Sequence, residues 1–409
     1  MTPLSDIFRV SLRIGLLSFG GPAAQIALMH EEYVDRRKWL AEDEFLRALS
    51  LTMLLPGPEA MQLATYAGWK QRGILGGLVS GGLFILPGAL VIFLLAWAYM
   101  GFGSVPWVAA MFTGVQACVV IIVISALLKL SRKALSGPLF KGLALASFIA
   151  LYVFNLAFPL VLAAAALIAA VTERPTNNTP SPPARHTPTR NWPAIIAGFL
   201  LWPLPILAAA LAGDTLLQEI GLFFTKLAVV TFGGAYAVLT YMTQEVVRDY
   251  GWITTTQMID ALGLAETTPG PLILVTQFVG TLSAGFKGGL VVLWVTFIPC
   301  FIWIFLFGPS LESIAGNPRL QAALAGVTAA VVGVILNLSV WFALNVWFAH
   351  THAIPLPLGT LTLPAIGTIL PVPLSLSLVA AALLLWRKTP LPFCLAICAG
   401  LSVFLTGMP

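Results

Sequence analysis

Charge is scarce in this chain. Only 9% of its 409 residues are Asp, Glu, Lys or Arg, against 59% hydrophobic. A soluble domain of this length needs a polar shell, so a composition this poor in charge excludes that class. Cysteine is scarce as well. Cys118, Cys300, Cys394 and Cys398 all sit in apolar context with no paired spacing in a loop, which argues against a disulfide framework and for small packing residues. No Gly-x-x-x-x-Gly-Lys-Ser/Thr loop occurs, so the chain has no phosphate cradle of the ATPase kind. The basic residues Arg9 and Arg13 precede an apolar run without a small-residue cleavage site before Gly20-Gly21, and the run reads as an uncleaved first span. His350 and His352 have no Cys, Asp or Glu nearby to complete a metal site and read as interfacial, so neither metal nor cofactor is called for. The formal charge of +5 resides in loop cations that orient membrane segments, and nothing in it suggests nucleic acid.

What fills the chain is a succession of apolar stretches of roughly 20 residues, each long enough to cross a ~30 Å hydrocarbon core. A β-barrel would show short alternating segments instead. The sequence therefore predicts an all-α polytopic membrane protein embedded in the lipid bilayer. Spans fall near 7–29, 48–69, 74–100, 105–130, 139–154 and 156–172, then 193–212, then 216–242, 260–282, 287–309, 319–349, 374–387 and 390–408, about 13 in all. The polar, proline-rich segment 173–192 reads as a disordered cytoplasmic linker, and the proline-rich stretch 350–373 as an insertion. The division is a first transmembrane repeat over 1–172, the linker, a lone inverting span over 193–212, and a second repeat over 213–409.

The word repeat is meant literally. Phe19-Gly20-Gly21 and Pro56-Gly57-Pro58 recur as Phe232-Gly233-Gly234 and Pro269-Gly270-Pro271, each displaced by 213 positions. The same register matches Ala24 with Ala237, Glu32 with Glu245, Trp39 with Trp252 and Leu51 with Leu264. Repeated halves with helix breakers at corresponding places point to a secondary transporter whose site lies between the halves. An N-terminus in the cytoplasm gathers Lys70, Arg72, Lys129, Arg132, Lys133 and Lys141 on that side, against Arg36, Arg37, Lys38 and Arg47 on the other. The lone span then inserts the second half upside down, with Arg248, Arg319, Arg387 and Lys388 inside and the C-terminus outside.

Candidate site residues follow from the cost of irregular backbone and charge in lipid. The two Pro-Gly-Pro segments, Pro56, Gly57 and Pro58 with Pro269, Gly270 and Pro271, remove backbone donors inside apolar runs, so two half-helices or a re-entrant hairpin are expected there. Such backbone is tolerated where it lines a cavity, and half-helix N-termini favour an anion. Gly20 and Gly21, with Gly233 and Gly234, offer a second break in each half. The bland alternative is packing or kink positions, which glycine and proline also occupy in membrane helices. Arg13 and Lys226 share a repeat position, and in an inverted repeat two such cations would meet near the pseudo-two-fold axis, suiting a divalent oxyanion. Snorkelling to the interface is their alternative role. Glu59 follows the first Pro-Gly-Pro and Glu266 precedes the second; each reads equally as a helix cap or as a proton-coupling acid. Gln62, with Gln25, Thr65, Thr276 and Gln277, adds hydrogen-bonding groups, whereas Glu32 and Glu245 fit loop salt bridges.

These motifs together, Phe-Gly-Gly-Pro at 19–22, the charged stretch ending in Trp39 and the paired Pro-Gly-Pro segments, resemble the chromate ion transporters in their long two-domain form. The resemblance covers the chain apart from the linker. It implies a non-enzymatic carrier of antiparallel homologous halves that exports chromate across the bacterial cytoplasmic membrane and confers chromate resistance. Ala235 stands where Pro22 stands in the first half, so the halves need not contribute equally. Export of a dianion is driven by a negative-inside potential, at roughly 2.3 kcal/mol per charge per 100 mV. Chromate and sulfate are both tetrahedral dianions, so a sulfate or related oxyanion permease is one alternative. A membrane-embedded enzyme acting on a lipid phosphate is another, built on the charges between Glu31 and Glu44, although these alternate in sign like a solvated amphipathic segment. Oligomeric state, a homodimer included, is left open by the sequence.

Overall fold

The computed structural model describes residues 2–19, 21–172, 190–230, 235–310, 317–357 and 359–406. Gly20, Gly233, Gly234 and nearly all of the 173–192 linker lie outside these residues. Five helices are long and apolar enough to cross a membrane: Glu59–Phe102, Pro106–Ala134, Trp192–Leu211, Leu272–Ser310 and Pro318–Trp347. Side chains such as Leu211, Trp386 and Phe404 are more than four-fifths exposed, which only a lipid environment would tolerate in such numbers. The protein is thus an all-α multi-pass membrane protein in its spans. One departure is a small antiparallel hairpin, β1 (Thr351–Leu356) and β2 (Gly359–Pro364), with Thr351 opposite Pro364. It occupies the proline-rich insertion, where Pro355 and Pro364 bar a helix and alternating Thr, Ile and Leu suit a pleat.

Several expected spans are broken. The first consists of α1 (Leu4–Leu17) and α2 (Pro22–His30), the second of α3 (Glu42–Leu54) and the start of α4 (Glu59–Phe102). α4 itself is a hairpin: Arg72 (φ −148°, ψ 33°) and Gly73 (φ 60°, ψ −151°) leave the helical region and reverse the chain. After α5 (Pro106–Ala134), α6 (Pro138–Tyr152), α7 (Phe158–Thr172), α8 (Trp192–Leu201), α9 (Leu204–Leu211), α10 (Thr215–Val230), α11 (Ala235–Thr243) and α12 (Thr255–Thr267), the pattern returns in α13 (Val275–Phe307). There Ala284 (φ −137°, ψ 28°) and Gly285 (φ 65°, ψ −162°) make the same turn. Both hairpins close on glycine. A Cβ on Gly68 would lie 2.2 Å from the Gly76 carbonyl oxygen, and one on Gly288 would lie 2.2 Å from that of Gly280. Arms this close need residues without side chains at the contact.

The chain packs into two compact units. The first comprises Met1–Trp97, Asn177–Ala235 and Leu264–Asn317, the second Ala98–Thr176, Tyr236–Gly263 and Pro318–Pro409. Each unit draws on both halves of the sequence. In the first, α10 packs on α13; in the second, the helix Pro318–Trp347 (α14) packs on α5, α6 and α7. The four cysteines are free and buried, and Cys118, Cys394 and Cys398 of the second unit bring their sulfurs within 4.8 Å of one another.

Candidate functional site

Three helices of the first unit begin in the same way. Gly21 (φ 80°), Gly57 (φ 118°) and Gly270 (φ 86°) each occupy the left-handed region, and each is followed by a proline, Pro22, Pro58 or Pro271, that opens a helical segment. Glycine accepts positive φ without steric cost, and proline presets the helical φ where its missing N–H is not needed. The segments so opened are α2, the first arm of α4, and the 3-10 turn Leu272–Leu274 leading into α13. Their first turns carry backbone N–H groups with no intrahelical acceptor.

These three starts face one small, partly open cavity lined by Pro22, Gln25, Pro58, Glu59, Ala60, Pro271, Leu272 and Ile273. Hydrogen bonds fix its walls. The Gly270 N–H donates to the Ser18 carbonyl at 3.0 Å. Gln25, 2% exposed, donates through Nε2 to the Gly270 carbonyl at 2.7 Å and to that of Ser18 at 3.4 Å. Gln62 donates to the Pro56 carbonyl at 2.7 Å, satisfying a group that the break had freed. A Cβ on Gly57 would lie 2.8 Å from Cys300 Sγ, and one on Gly88 only 2.2 Å from the Pro269 carbonyl oxygen, so both breaks are packed tightly against the long hairpins. Gln277 donates to the Ala89 carbonyl at 2.9 Å beside the frame of the second break.

Electrostatically the cavity is a convergence of helix N-termini, each equivalent to about half a positive charge. Helix N-termini of this kind favour an anion through their backbone donors. Glu59 is the sole acidic residue of the lining, and when ionised it opposes a dianion.

Of the residues singled out from sequence, Gln25, Pro58, Glu59 and Pro271 line the cavity, while Pro56, Gly57, Gln62, Pro269, Gly270 and Gly21 shape the turns behind it. Glu266 is 5% exposed at the end of α12, outside the lining. Arg13 and Lys226 are absent from the lining, and both are exposed. Arg13 pairs with Glu32 at 3.4 Å, and Arg36 shares the same carboxylate oxygen at 3.0 Å. Glu32, read from sequence as a loop residue, is 1% exposed. The neighbouring charges also pair among themselves, Arg36 with Glu31 at 2.6 Å and Lys70 with Glu44 at 2.6 Å, which leaves little of the cluster that a lipid-phosphate enzyme would need. Ser18 was not legible as a site residue, since it contributes a carbonyl and not its side chain.

Comparison with known proteins concerns the sequence as a whole. The sequence profile of the family described as chromate transporter matches residues 5–170 and 218–403, one match in each half. A probable chromate transport protein of Synechococcus elongatus is 33% identical over 341 residues, covering 81% of this chain and 82% of its own length. The chromate transport protein of Cupriavidus metallidurans is 32% identical, covering 81% of this chain and 80% of its own length. An uncharacterised transporter of Methanocaldococcus jannaschii is 28% identical, covering 83% of this chain and 85% of its own length. No solved structure matches.

Proposed function

We propose, since the chain belongs to the chromate transporter family, that it is a secondary transporter exporting chromate from the bacterial cytoplasm across the inner membrane, and so confers chromate resistance. The observation that carries this reading is the meeting of three half-helix N-termini on one cavity within the first unit. A tetrahedral dianion offers four acceptor oxygens, and the free N–H groups of α2, α4 and the Leu272–Leu274 turn supply donors from three directions.

Repeated sequence supports a finer picture of two inverted six-span repeats joined by a lone span, about 13 crossings, with the N-terminus and linker cytoplasmic and the C-terminus outside. Direction follows from charge: a dianion leaving a negative-inside cell gains about 4.6 kcal/mol per 100 mV, twice the figure for one charge. Export therefore runs without ATP.

Everted membrane vesicles test the reading. Energised vesicles containing the protein should accumulate labelled chromate, and excess sulfate reports whether the site separates the two dianions. Equal uptake by vesicles with and without the protein contradicts the proposal. Uptake of sulfate with no uptake of chromate replaces it with the sulfate permease.

A further inference from the structure

The second unit holds a carboxylate that no sequence motif singles out. Asp260, on α12, is 2% exposed and stands at the start of the span that the sequence places at 260–282. Its Oδ2 accepts a hydrogen bond from the Tyr99 hydroxyl at 2.8 Å, and its Oδ1 accepts one from Gln116 Nε2 at 2.7 Å. Tyr99 comes from the last turns of α4 and Gln116 from α5. One turn beyond Asp260, a Cβ on Gly263 would lie 2.3 Å from Val115 Cγ1, so α12 and α5 are in close contact here.

Among the described residues no cation pairs with Asp260; the ion pairs lie between residues 13 and 70. The second arm of α4 has no charged residue, and the cations of α5, Lys129, Arg132 and Lys133, begin 13 positions past Gln116, about 20 Å along the helix axis. The remaining acid of α12 is Glu266, six positions on. Among the described residues Tyr99 is thus the one titratable side chain in hydrogen-bond contact with Asp260. The register of the repeat places Arg47 at the corresponding position of the first half, so the acid belongs to one half only.

A buried carboxylate without a cation is costly, so a protein that keeps one has a use for it. Its partners suggest which function. A tyrosine hydroxyl donates or accepts, and a glutamine amide presents an N–H or, turned about, its carbonyl. Ionised Asp260 accepts two hydrogen bonds; protonated Asp260 donates one to Tyr99 Oη or Gln116 Oε1. Both protonation states are satisfied by rotation of side chains alone. A site for a hard cation would instead surround the carboxylate with further oxygen ligands.

We propose that Asp260 is the proton-carrying group of the transport cycle, its carboxylate taking up one proton from water on one side and returning it on the other as the oxyanion crosses. The proposal rests on the oxyanion-transport reading above. Along the chain, α12 runs from Asp260 into Pro269-Gly270-Pro271, so the helix that holds the acid also leads to a wall of the cavity.

The test uses the purified full chain in liposomes, with a pH-sensitive dye inside, at alkaline pH where chromate is a dianion. Two signals are read: chromate-linked pH change, and counterflow of labelled against unlabelled chromate, which needs no net proton movement. The wild type should show both. Asp260→Asn should lose the pH change while counterflow stays measurable, and Asp260→Glu should recover the pH change. A pH change that persists in Asp260→Asn overturns the proposal, as does a wild type that moves chromate with no pH change. Loss of both signals alike in Asp260→Asn and Asp260→Glu also overturns it, since the residue then only packs. A wild type without counterflow refutes the oxyanion-transport reading itself.

Discussion

At the scale of single residues, the site is built by three Gly-Pro steps. Gly270 sits at φ 86° with its amide bonded to Ser18 and its carbonyl to Gln25. An alanine there is forced into the left-handed region, at about 1–2 kcal/mol, before any clash is counted. Gly270→Ala should therefore lower thermal stability by roughly that amount and cost most of the chromate uptake, whereas Gly82→Ala, with open space around it, should leave both unchanged. Thermal unfolding in detergent, followed by vesicle uptake, measures the two effects. Much of this was legible in the sequence, because helix breaking by Gly and Pro is local chemistry. The bond from Gln25 to Gly270 was not: its partners are 245 positions apart and nothing in either neighbourhood names the other. Arg13 was legible as a charge in an apolar run, but its pairing with buried Glu32 depends on how α2 continues past the break.

At the scale of elements, the two long helical hairpins position the breaks, and their tight turns depend on glycine. The contact of Gly68 with Gly76, and of Gly280 with Gly288, leaves no room for a side chain. Gly76→Val or Gly288→Val should separate the arms, with a cost of about 1–3 kcal/mol of the overpacking kind. Lower melting temperatures and a broadened elution profile in size-exclusion chromatography are expected; unchanged melting would mean that the arms are not in contact. Sequence periodicity located the arms as spans near 48–69 and 74–100, with 260–282 and 287–309 as counterparts. Those boundaries already separate the arms where the Arg72-Gly73 and Ala284-Gly285 turns lie; what periodicity did not reveal is how closely the arms approach, because a glycine contact across a turn leaves no compositional trace. The β1–β2 hairpin was missed because only residues 360–363 alternate, too short a run among prolines to read as a strand.

At the scale of the whole molecule, contiguous halves of sequence do not correspond to compact units. Each unit takes segments from both halves, an arrangement set by long-range packing that linear order cannot display. The proposed topology is nonetheless open to direct measurement. Reporter fusions at position 180 and at the C-terminus should report the cytoplasm and the outside respectively, and a cytoplasmic report from both refutes the inverted thirteen-span arrangement.

The central claim is that the Pro-Gly-Pro breaks bound an aqueous, anion-binding cavity. Ala60 and Leu272 line it from two different helix starts. The native cysteines are buried, with at most 1% exposure, so they give little background to a thiol reagent. Ala60→Cys and Leu272→Cys, each in the full chain, should react with a small water-soluble thiol reagent. Chromate should slow both reactions, and washing it out should restore them. Cysteines at both positions that fail to react, or that react at the same rate with and without chromate, would contradict the account.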